Sequence, residues 1–411
     1  MTTLMAQAEA LDAADPLRHF RSEFALREGL VYLDGNSLGA LPRATKTRIA
    51  NTVSNEWGEG LITSWLGADW VNAPRRIGDK IGQLIGARPG EVIVCDSTSI
   101  NIFKALTAAI SLQPDRTIIL SEAGNFPTDL YMMQGVAAFS GGRIQAVTAS
   151  PDDVLDRLNT DVAALLLTQV HYKSGLVRDM AAVTARAHGH GVPVIWDLSH
   201  SAGAIPVDLA AADADFAIGC GYKFLNGGPG APAFLHVARR HQNAVPALSG
   251  WFGHNRPFDF EDDYLPANGI ERFLCGTPPI LGLAALETGV DLIACADIQM
   301  LRVKSQKLAE LFIGAMAERC AGLGFALVSP REPDLRGSHV SYAHPQGYAM
   351  MQALKARDVI GDFRAPDVMR FGLTPLYLRY VDVVTAVEAL ADIARSGAWD
   401  TPEYSVRAAV T

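Results

Sequence analysis

One pattern constrains this chain more than any other. From Glu91 to Val237, short β-branched or apolar runs alternate with stretches of helical spacing. The runs are Glu91 to Cys95, Thr117 to Leu120, Val162 to Val170, Val192 to Leu198, Phe216 to Cys220 and Ala233 to Val237. Asn101 to Ile110, Asp129 to Phe139 and Met180 to His188 read as helices between them. Such alternation predicts an α/β fold with a largely parallel sheet covered by helices. Val162-Ala-Ala-Leu-Leu-Leu and Val194-Ile-Trp are apolar at successive positions, as strands buried on both faces are.

Past Pro278 the pattern changes to amphipathic helices, Ile280 to Ala294 and Ile298 to Cys320. Mixed segments follow at Phe325 to Val328, His339 to Tyr342, Ala349 to Ala356 and Met369 to Leu373, which reads as a separate α+β domain. Two cores suit 411 residues, because one core rarely grows beyond about 250–300. Leu248 to Pro279 is rich in Gly, Pro and aromatics with little periodicity, a long loop of the kind kept for function.

Composition narrows the partners. A formal charge of -9 and the lack of any Lys/Arg run argue against nucleic acid. Residues are 49% hydrophobic, yet no apolar stretch reaches membrane-spanning length. Met1 to Pro16 carries Glu9, Asp12 and Asp15 and no basic residue, unlike a secretory or transit signal, so the cytoplasm is the expected compartment. Five scattered cysteines without a CxxC pair argue against a disulfide framework or a zinc knuckle, and no metal is expected.

Chemistry concentrates around one lysine. In Gly219-Cys-Gly-Tyr-Lys-Phe-Leu-Asn-Gly-Gly-Pro-Gly230, Lys223 follows a buried strand and precedes a glycine-rich bend. A lysine there is either an amine made nucleophilic by desolvation, able to form a Schiff base, or a surface residue capping a strand. Upstream, Val194-Ile-Trp-Asp-Leu-Ser-His-Ser-Ala-Gly203 puts Asp197 at a strand's C-terminal end, where open α/β sheets bind ligands, with His200 just beyond. A carboxylate at that depth calls for a cation such as a protonated pyridine nitrogen; the other reading is an N-cap for a helix from Ser201 onward.

Two further pieces follow sheet strands. Ser97-Thr-Ser99 lies between a strand and a helix, where free N–H groups hold phosphate, although Ser and Thr are also ordinary caps. Asn125-Phe-Pro-Thr-Asp129 offers Phe126 for stacking on an aromatic cofactor, or as plain core, and Pro127 to start a helix.

These segments, with Tyr32-Leu-Asp-Gly-Asn-Ser-Leu-Gly39, Leu248-Ser-Gly-Trp-Phe-Gly-His254 and Met369-Arg-Phe-Gly372, give the chain a resemblance to a known family. It resembles fold-type I pyridoxal 5'-phosphate enzymes of the aminotransferase class V group, and within it the kynureninases. The resemblance implies an aspartate aminotransferase-like fold: a large domain with a mostly parallel seven-stranded sheet and a smaller α+β C-terminal domain. Residues 51–285 would form the large domain, 286–411 the small one, and 1–50 a segment joining the small domain and dimer contacts.

By the same resemblance Lys223 carries the cofactor, Asp197 pairs with its ring nitrogen, His200 lies beside it and Phe126 stacks on it. Thr98, Ser99, Tyr222, Trp251 and Thr277 hold the phosphate or its surroundings, and Asp129 and Thr168 complete the pocket. Arg370 receives the substrate α-carboxylate, with Asn36 on the substrate side and Trp65, Phe252 and His254 walling the aryl ring. Tyr222 is also the candidate acid for the β carbon. The active site forms at a homodimer interface, so Trp251 and Thr277 serve the neighbouring subunit.

The implied activity is hydrolysis of the Cβ–Cγ bond of L-kynurenine, or of its 3-hydroxy form, in tryptophan catabolism and NAD biosynthesis. The rival is another class V enzyme, an aminotransferase or a cysteine desulfurase with a catalytic cysteine on a loop. Cys95 and Cys220 fall in expected strands and Cys295 and Cys320 in expected helices, which leaves only Cys275 in a loop.

Overall fold

The computed structural model describes residues 3–406. The chain divides into two compact units, one made of Thr45–Gln169 and Arg178–Ala294, the other of Met1–Ala44, Val170–Val177 and Cys295–Thr411.

The first unit is built on seven strands: β1 (Val92–Val94), β2 (Ile118–Glu122), β3 (Gln145–Ala149), β4 (Val162–Thr168), β5 (Val194–Asp197), β6 (Phe216–Gly219) and β7 (Phe234–Val237). Their order is β1-β7-β6-β5-β4-β2-β3. Only β7 runs against its neighbours β1 and β6; the other pairs are parallel. All residues of β1, β4, β5, β6 and β7 are buried, which is why their sequences are apolar without alternation. Strand β3 is the addition to the sequence reading. It lies at the sheet edge, half exposed, and its Gln145-Ala-Val-Thr-Ala149 lacks the apolar run that marks the central strands.

Helices α1 (Ala73–Leu84), α2 (Thr98–Ser111), α3 (Pro127–Phe139), α4 (Met180–His188) and α5 (Ile280–Ala294) belong to the same unit. Ile102, Leu106 and Ile110 of α2 and Met133 and Val136 of α3 pack with Ile119, Leu166, Ile195 and Ile218 of the sheet in one core. Each such side chain, fully buried, stabilises the fold by about 1.5–3 kcal/mol.

The second unit holds the strands β8 (Ala326–Leu327), β9 (His339–Ala343), β10 (Asp362–Arg364) and β11 (Val368–Gly372) in the antiparallel order β10-β11-β9-β8. Its helices include α6 (Ile298–Arg319), α7 (Gly347–Lys355) and α8 (Tyr380–Ser396), and Val31–Tyr32 pairs in parallel with Val359–Ile360. The fold is thus the expected α/β sheet with an α+β companion. Two cysteine placements shift: Cys295 lies exposed just past α5, which ends at Ala294 as its spacing suggests, and Cys320 is the C-cap of α6, which stops one residue earlier than its spacing suggests. Among the described residues no helix is long and apolar enough to cross a membrane.

Candidate active site

Parallel strands deliver their C-terminal ends to one edge of the sheet, and the expected site residues collect there. Strands β4 and β5 end in Thr168 and Asp197, which face each other in register. Lys223 follows β6, and Asn125, Phe126 and Asp129 follow β2. Because β7 is antiparallel to both β1 and β6, β1 points the same way as β6, and Ser97, Thr98 and Ser99 open at the same edge. Open α/β sheets bind ligands at this edge.

Lys223 Nζ lies 3.1 Å from His200 Nε2. The Phe126 and Tyr222 rings sit 5.7 Å and 6.0 Å from the amine, centroid to nitrogen. The side chain is half-buried, so the reading of Lys223 as a surface cap does not hold. Asp197 is buried, and its Oδ1 accepts the Ser199 N–H at 2.7 Å. The chain then continues in turns, so no helix from Ser201 exists for Asp197 to cap.

Electrostatics single out two carboxyl groups. Burial raises the Asp197 pKa, against the opposing Ser199 hydrogen bonds and the Lys223 charge. Asp129 is raised well above the usual range by burial first and by Asp197 second, with Lys223 and the nearby Asn125 amide opposing. Neither Asp129 oxygen meets a well-formed hydrogen bond, and the buried Thr168 hydroxyl likewise lacks a partner. Buried groups in this condition call for an additional partner.

Pyridoxal 5'-phosphate fits these residues. A protonated ring nitrogen is the cation that the buried Asp197 requires, Phe126 offers a face for the ring, and Lys223 an amine for the aldehyde. A phosphate would be held at the start of α2, capped by Ser97, whose Oγ accepts the Ile100 N–H at 3.5 Å.

The remaining candidates fall elsewhere. Trp65, Trp251 and Phe252 form an aromatic cluster with Phe252 centroids 5.8 Å from Trp65 and 4.9 Å from Trp251. Trp251 and His254 line a cavity of about 400 Å³ with Phe260 and Tyr264. His254 Nδ1 accepts the Arg256 N–H at 2.9 Å, and Thr277 is exposed.

Arg370 and Asn36 belong to the other unit. Arg370 is buried, not a surface strand residue. It donates from Nε to Asp362 at 2.7 Å, from Nη1 to the Tyr172 carbonyl at 2.6 Å, and from Nη2 to Ser37 Oγ at 3.1 Å and to the second Asp362 oxygen. A guanidinium has five N–H groups, so one on Nη1 remains for an incoming carboxylate unless Asp362 yields. Asn36 is fully buried, and both its amide atoms lack hydrogen-bond partners.

Sequence reasoning passed over two features. One is Lys104, fully buried on α2; a charged residue within the apolar run Ile102 to Ala109 was the available signal. The other is the carboxyl pair Asp34 and Asp362, where burial and then the Asp362 charge push Asp34 up to about 7. No local spacing announces that pair, because the partners are distant in sequence.

Comparison with known proteins fits this geometry. The kynureninase C-terminal domain family matches residues 301–390. A kynureninase of Pseudomonas fluorescens is 50% identical over 408 residues, 98% of each chain. A kynureninase of Burkholderia pseudomallei (strain K96243) is 50% identical over 411 residues, covering 98% of this chain and 99% of its own. Among solved structures, the apo cysteine desulfurase of Thermococcus onnurineus NA1 superposes with a TM-score of 0.77 at 17% identity, over 92% of this chain and 98% of its own. A C-DES mutant carrying glycine covalently linked to its PLP cofactor gives 0.78 at 18% identity, over 90% and 99%. The structural likenesses carry the fold, and the half-identical full-length relatives carry the lineage: the chain belongs to the kynureninase family.

Proposed function

We propose that the protein hydrolyses the Cβ–Cγ bond of L-kynurenine to anthranilate and L-alanine, as a homodimer with pyridoxal 5'-phosphate, in tryptophan catabolism. Its family membership carries the reaction. The observation that carries the site is the Lys223 amine 3.1 Å from His200, at the sheet edge that holds buried Asp197 and Asp129.

When bound, the cofactor supplies an electron sink for charge developing on the substrate. Lys223 would hold it and would then move the proton at the substrate Cα. Asp197 would pair with the ring nitrogen, beside the Asp129 carboxyl, which burial and the Asp197 charge raise above its usual range. One water is consumed: its oxygen ends in the anthranilate carboxyl group, and the β carbon gains a proton to leave as alanine. Burial holds the Tyr222 phenol above its usual range, so Tyr222 enters as a protonated donor placed next to Lys223. The α-carboxylate goes to Arg370, through its open Nη1 or by displacing Asp362. Trp65, Phe252 and His254 wall the aryl ring, and 3-hydroxykynurenine is the alternative substrate.

An absorbance spectrum of the purified protein, followed by addition of L-kynurenine with anthranilate fluorescence as readout, tests the proposal. A visible band with anthranilate release is expected. A band with a keto acid or sulfide product instead would move the chain to another class V reaction.

A further inference from the structure

Lys104 is a buried amine that the proposed chemistry does not use. Its side chain on α2 has no exposed surface, and Nζ donates to Asp96 Oδ2, to the Phe273 carbonyl and to Cys95 Sγ, the last at 3.8 Å. These partners belong to two segments that are remote in sequence. Asp96 immediately precedes Ser97-Thr-Ser99 and sits in the left-handed region at φ 49, a conformation that costs energy unless its surroundings hold it. Phe273 opens the loop Phe273-Leu-Cys-Gly-Thr277.

That loop is tied in turn to the segment carrying Trp251. Phe252 N–H donates to the Cys275 carbonyl at 3.1 Å. The backbones lie so close that a Cβ on Gly250 would meet the Cys275 oxygen at 2.3 Å. The phosphate-side candidates Thr98, Ser99, Trp251 and Thr277 therefore lie on segments joined through one buried cation.

We propose that Lys104 is a positioning residue for the phosphate end of the cofactor, clamping the Asp96–Ser99 turn to the Phe273–Thr277 loop. The inference rests on the cofactor reading above. A charged donor with two oxygen acceptors fixes both segments more firmly than a neutral contact does, and nothing else at this junction is cationic among its described hydrogen bonds.

The test uses full-length protein stripped of cofactor, as wild type, Lys104→Met and Asp96→Asn. Each is titrated with pyridoxal 5'-phosphate and separately with pyridoxal, which lacks the phosphate, with binding read by absorbance and tryptophan fluorescence. Lys104→Met is expected to weaken the phosphorylated ligand by about tenfold or more, the effect of losing one charge-assisted tie, and to leave pyridoxal binding unchanged. Asp96→Asn, which keeps the amine and an acceptor oxygen at that position, is expected to move in the same direction by less. Equal weakening of both ligands, or none in either variant, would overturn the proposal. A wild type that binds neither ligand would instead bring down the cofactor reading, and this proposal with it.

Discussion

At the scale of single residues, Tyr222 and Asp34 carry the sharpest consequences. The Tyr222 phenol is kept protonated by burial first and by the nearby Cys220 and Asp197 second, as an acid for the β carbon must be. Tyr222→Phe should lower the single-turnover rate of anthranilate release by about 10²–10⁴-fold, the usual contribution of a positioned acid. Rapid-quench kinetics that showed an unchanged rate would leave Tyr222 as a ligand of the cofactor only. Asp34 carries a pH signature of its own. Its folded pKa of about 7 stands above the ordinary 3.8, so between those values the folded state binds more protons than the unfolded one. Asp34 then contributes a loss of stability as pH rises through that window, and Asp34→Asn should make the fall shallower. Melting midpoints of both forms across the window measure it; parallel curves would refute the assignment.

At the scale of elements, the end of α4 and the starts of β5 and β6 meet at Asp215. This carboxylate is buried and accepts from His188 Nε2, His241 Nε2 and Arg240 Nη2, each at 2.7 Å, and from the Val194 N–H at 2.9 Å. Burial alone would raise its pKa, but the His188 and His241 hydrogen bonds hold it far below the carboxylate range. His188 is raised in return, by the Asp215 hydrogen bond most of all. A raised histidine stabilises fully below its unfolded pKa of 6.5, and that stability disappears as pH climbs through the folded value. Asp215→Asn should cost about 3–5 kcal/mol near pH 6, as removal of one partner from a buried ionic group does, and less at alkaline pH, as the raised His188 loses its proton. Urea unfolding at both pH values decides it, and an equal cost at both would refute the His188 linkage. None of this was legible in sequence, where Asp215 precedes an apolar strand without distinguishing marks. What was legible had a period or an end. Val162–Thr168 shows as a central strand because Val162 to Leu167 are apolar and the whole strand is buried, and Asp197 and Lys223 stand out as candidates because one ends such a strand and the other follows one. Edge strand β3 had neither mark. Helix α8 carries a readable stripe, with Val383, Val387, Leu390 and Ala391 all buried. The coupling of Asp129 with Asp197 brings the first turn of α3 together with the end of β5, two strands away from the β2 that precedes α3, which spacing along the chain does not encode.

At the scale of the whole molecule, one exposed surface bears on assembly. Within a single short stretch Trp57, Leu61, Ile62 and Leu66 are 57%, 59%, 75% and 82% exposed. Isolated apolar residues on a surface need no explanation, but a concentrated set marks an interaction site. The stretch contains Trp65, whose ring packs on Phe252 at 5.8 Å, so whatever covers it also bears on the aromatic cluster proposed to wall the substrate. A second copy of the chain is the occupant that the proposed homodimer would place there. Ile62→Glu combined with Leu66→Glu places two charges where dimerisation would bury them, at a cost of several kcal/mol. Sedimentation is then expected to show dimers for the wild type and monomers for the variant. Because Trp251 and Thr277 are assigned to the neighbour's cofactor, the monomeric variant should also lose cofactor affinity while keeping its fold by circular dichroism. A variant that stays dimeric would move the interface to another face. A monomeric variant with undiminished cofactor affinity would show that each subunit completes its own site, and Trp251 and Thr277 would lose their assigned role.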